Sequence, residues 1–251
     1  MSDWLKILKD YVDTLETLIG APTDAGDLAT LFAKFKQQYV VDHAHVLLIV
    51  ADATSLDADM DTALKAELED DGYIVDVAEP ADIAGNIHLA FDFIVVSGSI
   101  TADTNLTKLR EAECPVLCHS AEVAVSTNVF SLGATAGTQA AQTHIEIVDN
   151  TPVWLLDTAP GDLEVTASAE LETMASVSGD VISLAEEKTA TGNDITMAIL
   201  RGGDADGEGV IPNYDRVFVG VKDYTNANAV FKALMALLWE HLYTREELPR
   251  L

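Results

Sequence analysis

Asp204, Asp206, Glu208 and Asp215 stand at positions 1, 3, 5 and 12 of the segment DADGEGVIPNYD, with Gly209 at position 6 and Ile211 at position 8. Oxygen donors at that spacing around a sharp glycine turn suit a hard cation, and calcium is the candidate. Strand-like sequences flank the segment where an EF-hand has helices, and its last ligand is the short-armed Asp. The alternative is a solvated hairpin loop in an Asp-rich chain. Cys114 and Cys118 are the two cysteines. On one strand, four steps would hold them about 13 Å apart, too far for a disulfide. A thiol at the end of a core strand ordinarily serves as a small buried hydrophobe. His119 and His144 could form a distant pair, though an isolated histidine before a strand is more often a surface or satisfied core residue. Asp57, Asp59 and Asp61 alternate as the charged first turn of a helix would, which favours caps over ligands. No P-loop, dinucleotide fingerprint, HExxH or zinc-spaced Cys/His set occurs.

The elements that must position these residues are built from 251 residues, 14 Lys and Arg against 42 Asp and Glu, for a formal charge of -28. Such a charge repels phosphate backbones and anionic lipids, so nucleic-acid and membrane-surface partners are not expected. A hydrophobic content of 49% is too high for a disordered acidic chain. The acid excess runs along the whole chain, Asp outnumbers Glu, and Lys is scarce. This composition reads as a halophile's, because at molar salt the Debye length is about 3 Å and self-repulsion is screened. No apolar run reaches the roughly 18 residues that span a bilayer. The N-terminus lacks the pattern of a secretory signal. The expected location is the cytoplasm, or a particle assembled there.

Residues 2 to 19 carry Trp4, Leu8, Tyr11, Leu15 and Leu18 at alternating steps of four and three, with Leu5, Val12 and Ile19 as a second stripe. Ala21 to Gly26 break this helix, and Leu28, Leu31, Phe32 and Phe35 mark another. Residues 1–42 therefore read as a helical leader, an oligomerisation or docking segment if it does not pack on its own domain. Residues 43–251 read as one α/β domain. HVLLIVAD, YIVDVAE, FDFIVVSGS and CPVLCHS are buried parallel strands, with helices over Asp57–Asp71 and Leu106–Glu113. PVWLL, LEVTAS, DVISLAEE and ITMAILR are short strands with tight spacing, which suggests antiparallel hairpins. RVFVGV is a last apolar strand, and Asn226–Tyr243 is a closing helix. The fold class is α/β, a flavodoxin-like doubly wound, mainly parallel sheet with antiparallel additions in the C-terminal half.

The stretch from Val46 to Val129, with FDFIVVSGS followed by PVLCHSAEVAVS, resembles the class I glutamine amidotransferase-like superfamily, in its intracellular-protease-like branch. The C-terminal strand and closing helix resemble trehalose-utilisation-like members in general form. The resemblance implies a nucleophilic cysteine on a strained strand-to-helix turn, a histidine after it, and an acid from the first βα loop. Cys118 and His119 match the first two, and Asp52 is the nearest acid, with Asp57 as a substitute. A helix N-terminus after the turn would lower the thiol pKa. Three positions depart from the family: Ser120 replaces the small residue after the pair, Ser97-Gly98-Ser99 replaces a Gly-Gly, and the first loop lacks the family's glutamate.

These departures favour a degraded active site, since a fold carries no function without its site. The expected function is a non-catalytic structural or interaction subunit of a halophilic archaeal or archaeal-virus assembly, with protein partners or self-association through residues 2–38. The alternative is a cysteine-dependent hydrolase or deglycase-like enzyme with Cys118 as nucleophile. A third reading places a ligand in a pocket at the carboxyl ends of the parallel strands.

Overall fold

A computed structural model describes residues 44–244 apart from 84–89, 102–103, 111, 141, 153–154, 156–157, 159, 167–169 and 188–193. The helical leader therefore lies outside the described residues. The parallel sheet starts with β1 (His45–Ile49), whose unbroken apolar run suits a strand covered on both faces. Val46 and Leu48 point into one core, and Leu47 and Ile49 into another on the opposite face.

After β1 come a single π-turn over Ala58–Thr62 and helix α1 (Ala63–Asp70), which buries Leu64 and Leu68. The sequence predicts one regular helix here; the wider opening turn accompanies the burial of Asp61. Strands β2 (Ile74–Ala78), β3 (Phe93–Val96) and β4 (Val116–Cys118) pair with β1 or with one another in parallel. The helix predicted over Leu106–Glu113 is instead a 3₁₀ segment, Thr104–Leu109. Its two buried residues, Leu106 and Leu109, are three apart, the spacing that a three-residue turn superposes.

A short helix, α2 (Ala121–Val125), follows β4 at once. The chain then makes β5 (Gly133–Ala140), β6 (His144–Ile147), β7 (Gly161–Glu164), β8 (Glu170–Val177), β9 (Ile182–Glu187) and β10 (Ile195–Leu200), all in antiparallel pairings. Only after these does β11 (Arg216–Val219) return beside β4, in parallel. The sheet order is β2-β1-β3-β4-β11-β10-β9-β6-β7, with β8 joining β5 to β10. Its first five strands follow the flavodoxin order, β11 taking the fifth place. The segment PVWLL, expected as a strand, has Leu155 in a turn whose N–H donates to the Pro152 carbonyl at 2.9 Å.

Helix α3 (Ala229–Thr244) closes the fold. Phe231, Leu234, Met235, Leu238, Trp239 and Leu242 join Val46 and Leu48 on the first sheet face, beside Leu64 and Leu68 of α1. The second face is covered by Leu106, Leu109, Val123 and Phe130. Both faces of the parallel sheet are thus packed. Among the described residues, no helix is long and apolar enough to cross a membrane.

A candidate site at the carboxyl ends of the parallel strands

The loops that leave β1 and β3 diverge, since β2 lies on one side of β1 and β3 on the other. Open α/β sheets hold ligands in the crevice at such a switch point. A cleft of about 630 Å³ lies there, and its lining includes Asp52, Asp57, Asp61, Ser99, Glu172 and Lys222.

Asp52 is exposed on the loop after β1 and closes an Asx turn: its carboxylate accepts the Thr54 N–H at 2.8 Å, the Thr54 hydroxyl at 2.7 Å and the Ser55 N–H at 3.1 Å. The Thr54 side chain and backbone hold its pKa below the ordinary value. Asp57 caps the next helix, accepting the N–H groups of Asp59 and Met60 at 3.0 and 2.9 Å.

Asp61 behaves differently. It is 1% exposed, and its carboxylate accepts the Ser97 hydroxyl, the Ser99 hydroxyl at 2.9 Å and the Asp57 N–H at 3.1 Å. It ties the opening turn before α1 to the end of β3. Ser97 and Ser99 spend their protons on Asp61, and the Ser99 oxygen also accepts the Ala51 N–H at 3.3 Å.

Cys118 is buried at the end of β4 and is not among the residues that line the cleft. Its thiol donates to the Ser120 carbonyl at 3.2 Å, and burial pushes its pKa well above that of an ordinary thiol. The strained turn implied by the resemblance is not found: among the described non-glycine residues, positive φ occurs at Ser131 and Thr135. His119, the next residue along, points to the other sheet face, as strand alternation requires. Its Nδ1–H donates to the Val219 carbonyl at 2.8 Å, and its Nε2 faces the Tyr224 hydroxyl at 3.5 Å. Burial pushes its pKa down to about 4, so the ring is neutral. The structure thus separates the thiol, the imidazole and Asp52 instead of bringing them together.

Glu172 and Lys222 are the members of the site that sequence reading missed. Glu172, from β8, accepts the N–H of Ala121, the first residue of α2, and pairs with Lys222 at 3.2 Å. Ser120 caps the same helix, its hydroxyl oxygen accepting the Val123 N–H at 3.3 Å. Burial raises the Glu172 pKa, against the lowering effect of the Ala121 hydrogen bond and Lys222. The Ala121 N–H at the head of α2 is therefore already bound to a carboxylate. Alternation along ELETMASV would put Glu172 on the face of buried Met174, a signal readable only once β8 is known to be a strand.

The calcium pattern does not assemble. Asp206 is buried and turned to Arg110, whose Nη2 and Nε lie 2.7 and 3.1 Å from one carboxylate oxygen. Its other oxygen accepts the N–H groups of Glu208 and Val210, both at 2.9 Å. Asp215 accepts the Gly202 N–H at 2.9 Å and faces His241 Nε2 at 3.3 Å. With Asp206 and Asp215 so committed, Asp204, Asp206, Glu208 and Asp215 form no cluster, and no group of three or more His, Cys, Asp or Glu able to hold a metal occurs among the described residues. His144 meets its neighbour, with Thr143 Oγ1 2.7 Å from Nδ1, on strand β6.

No family model matches the chain, and no curated protein does. Among solved structures it is similar to a glutamine amidotransferase from Thermotoga maritima, with 11% identity and a TM-score of 0.45 over 82% of this chain and 86% of that one. It is also similar to PurLQS from Thermotoga maritima, with 7% identity and a TM-score of 0.47 over 81% of this chain and 99% of that one.

Proposed function

We propose that the chain is a non-catalytic structural or interaction subunit of a halophilic archaeal or archaeal-virus assembly, built on an amidotransferase-like fold whose cysteine site is degraded. The observation that carries the non-catalytic reading is the Glu172 carboxylate on the Ala121 N–H, immediately beyond a buried Cys118. A nucleophilic thiol needs a lowered pKa and an approach path. Cys118 has a raised pKa and no surface in the cleft. The assembly role rests on the amphipathic stripes of residues 2–38, and the high-salt setting on the charge of -28.

The test is the alkylation rate of Cys118 against pH at molar salt in a Cys114→Ala background. The expected result is a thiol that reacts only as the protein opens. A fast reaction with a midpoint well below the ordinary thiol value of about 8.5 would overturn the reading in favour of a cysteine-dependent hydrolase or deglycase-like enzyme. Sedimentation at molar salt tests the assembly role: a monomer whose state and partners are unchanged by deleting residues 1–40 would overturn it.

A further inference from the structure

We propose that the free edge of β5 pairs with the same edge of a second copy of this chain, antiparallel about a twofold axis at Thr138. The inference goes beyond the assembly role given to residues 2–38 and stands apart from it, since β5 lies in the α/β domain and the pairing uses no residue of the leader.

The edge follows from the hydrogen bonds of β8. The Glu172 N–H donates to the Gly220 carbonyl at 2.7 Å, and its neighbour Leu171 bridges to Val221, so Glu172 turns away from β5. Glu172 stands opposite Thr138 in the antiparallel register. Opposed residues of such a pair either exchange both hydrogen bonds or both turn outward, so Thr138 also aims its N–H and C=O away, toward the free side of β5. Ala136 and Ala140 do the same by alternation, while Gly137 and Gln139 face β8. Among the described residues β5 pairs with β8 alone, and both Thr138 and Ala140 are exposed. The usable edge begins at Ala136, because Thr135, at φ 50, interrupts the register with β8.

The charge pattern indicates what covers this edge. The strands at the two ends of the sheet order carry acids, Asp76 in β2 and Asp162 and Glu164 in β7. Charges on an edge keep copies of an acidic chain from joining there. Strand β5 has no charge and no proline, and no Asp, Glu, Lys or Arg occurs from Val123 to Ile145, in a chain with 42 acids. A basic partner would be drawn to carboxylates. An edge cleared of them suits a partner that is itself acidic, and a second copy at -28 is such a partner.

The edge is also complementary to itself. A twofold axis at Thr138 sets Thr138 against its own copy and Ala136 against Ala140, so each outward N–H meets an outward C=O. Opposed threonines are a favourable cross-strand pair, and the alanines beside them put no bulk between the two edges.

Oxidation of the full chain carrying Thr138→Cys, at molar salt, provides the test. Opposed Cα atoms in a hydrogen-bonded pair stand about 5.5 Å apart, within the reach of a disulfide, so a linked dimer is expected. Cys114 and Cys118 are buried, which leaves the new thiol to report. Asp76→Cys, on the acid-bearing edge β2, should stay unlinked. A Thr138→Cys chain that does not link, or an Asp76→Cys chain that links equally, would overturn the inference. In the otherwise unaltered chain, Thr138→Pro removes an outward N–H, a change that edge strands tolerate. It should raise the dissociation constant for self-association, measured by sedimentation at molar salt, by on the order of tenfold. A folded Thr138→Pro variant that associates as tightly as the parent would overturn the inference as well. Both readouts report on β5, whereas the leader's role is read from the deletion of residues 1–40, so the two fail separately.

Discussion

The carboxylate of Glu172, carried by β8, accepts the N–H of Ala121, which opens α2 three residues after Cys118. An antiparallel strand from the C-terminal half thereby reaches the first residue of α2. Lys222 completes the arrangement from beyond β11. The candidate site thus belongs to the junction between the parallel sheet and its antiparallel additions.

Glu172→Ala leaves the buried Ala121 N–H without its acceptor and Lys222 without its partner. An unsatisfied buried donor costs about 1–3 kcal/mol. The expected loss should appear in denaturant unfolding at molar salt, with Glu172→Gln recovering part of it. Equal stability of Glu172→Ala and the parent would contradict the role assigned to this carboxylate.

Gly220 makes that placement possible. Its N–H donates to the Thr196 carbonyl at 2.8 Å and its carbonyl accepts the Glu172 N–H at 2.7 Å, so β8 passes against it. A Cβ at this position would overlap the Glu172 carbonyl oxygen, which is backbone and cannot swing aside. Gly220→Ala should therefore destabilise the fold by about 1–3 kcal/mol, the usual range for overpacking. Stability within experimental error of the parent would show that β8 does not run this close.

His119 gives the protein an acid-sensitive core. Its folded pKa of about 4 lies below its ordinary value of 6.5, so the unfolded chain binds the extra proton between those pH values. The contribution is fully present above pH 6.5 and is lost as the pH falls toward 4, a loss of about 3 kcal/mol across the window. Unfolding free energies measured across this window should fall less steeply in His119→Gln than in the parent. Parallel curves would place the acid sensitivity elsewhere.

Asp206 is a structural carboxylate. Removing it strands Arg110 and frees two loop N–H groups, so Asp206→Ala should cost about 3 kcal/mol or more. Millimolar calcium should leave the parent's thermal midpoint where it was. A calcium-dependent rise that Asp206→Ala abolishes would restore the cation loop.

Salt is the remaining lever. Between molar salt and about 0.1 M the Debye length grows from about 3 to 10 Å, and a charge of -28 then repels itself across the surface. The thermal midpoint should fall on dilution. A midpoint that holds in dilute buffer would count against adaptation to high salt.

Hydrophobic runs were enough to mark β1, β3, β4, β10, β11 and α3, because strands buried on both faces must be continuously apolar and a covering helix must carry a stripe; β2 and β9, only partly buried, were legible from shorter apolar stretches between turn signals. Gly133–Ala140 gave no such signal: GATAGTQA lacks alternation, and what makes it a strand is pairing with β8, a partner some 40 residues away. The acids show the same division. Asp57 was legible as a cap because capping is local, fixed by the N–H groups of the next turn. For Asp61, Asp206 and Glu172 the local sequence names no hydrogen-bond partner. Their partners lie 36, 96 and 51 residues away, at Ser97, Arg110 and Ala121. By itself, then, the sequence determined the class of fold and the net charge of -28, since both follow from composition and short-range period. Tertiary structure alone decided that the cysteine is sealed, that the calcium pattern is spent on Arg110 and that a glutamate sits at the head of α2, because each depends on which distant strand the chain brings alongside.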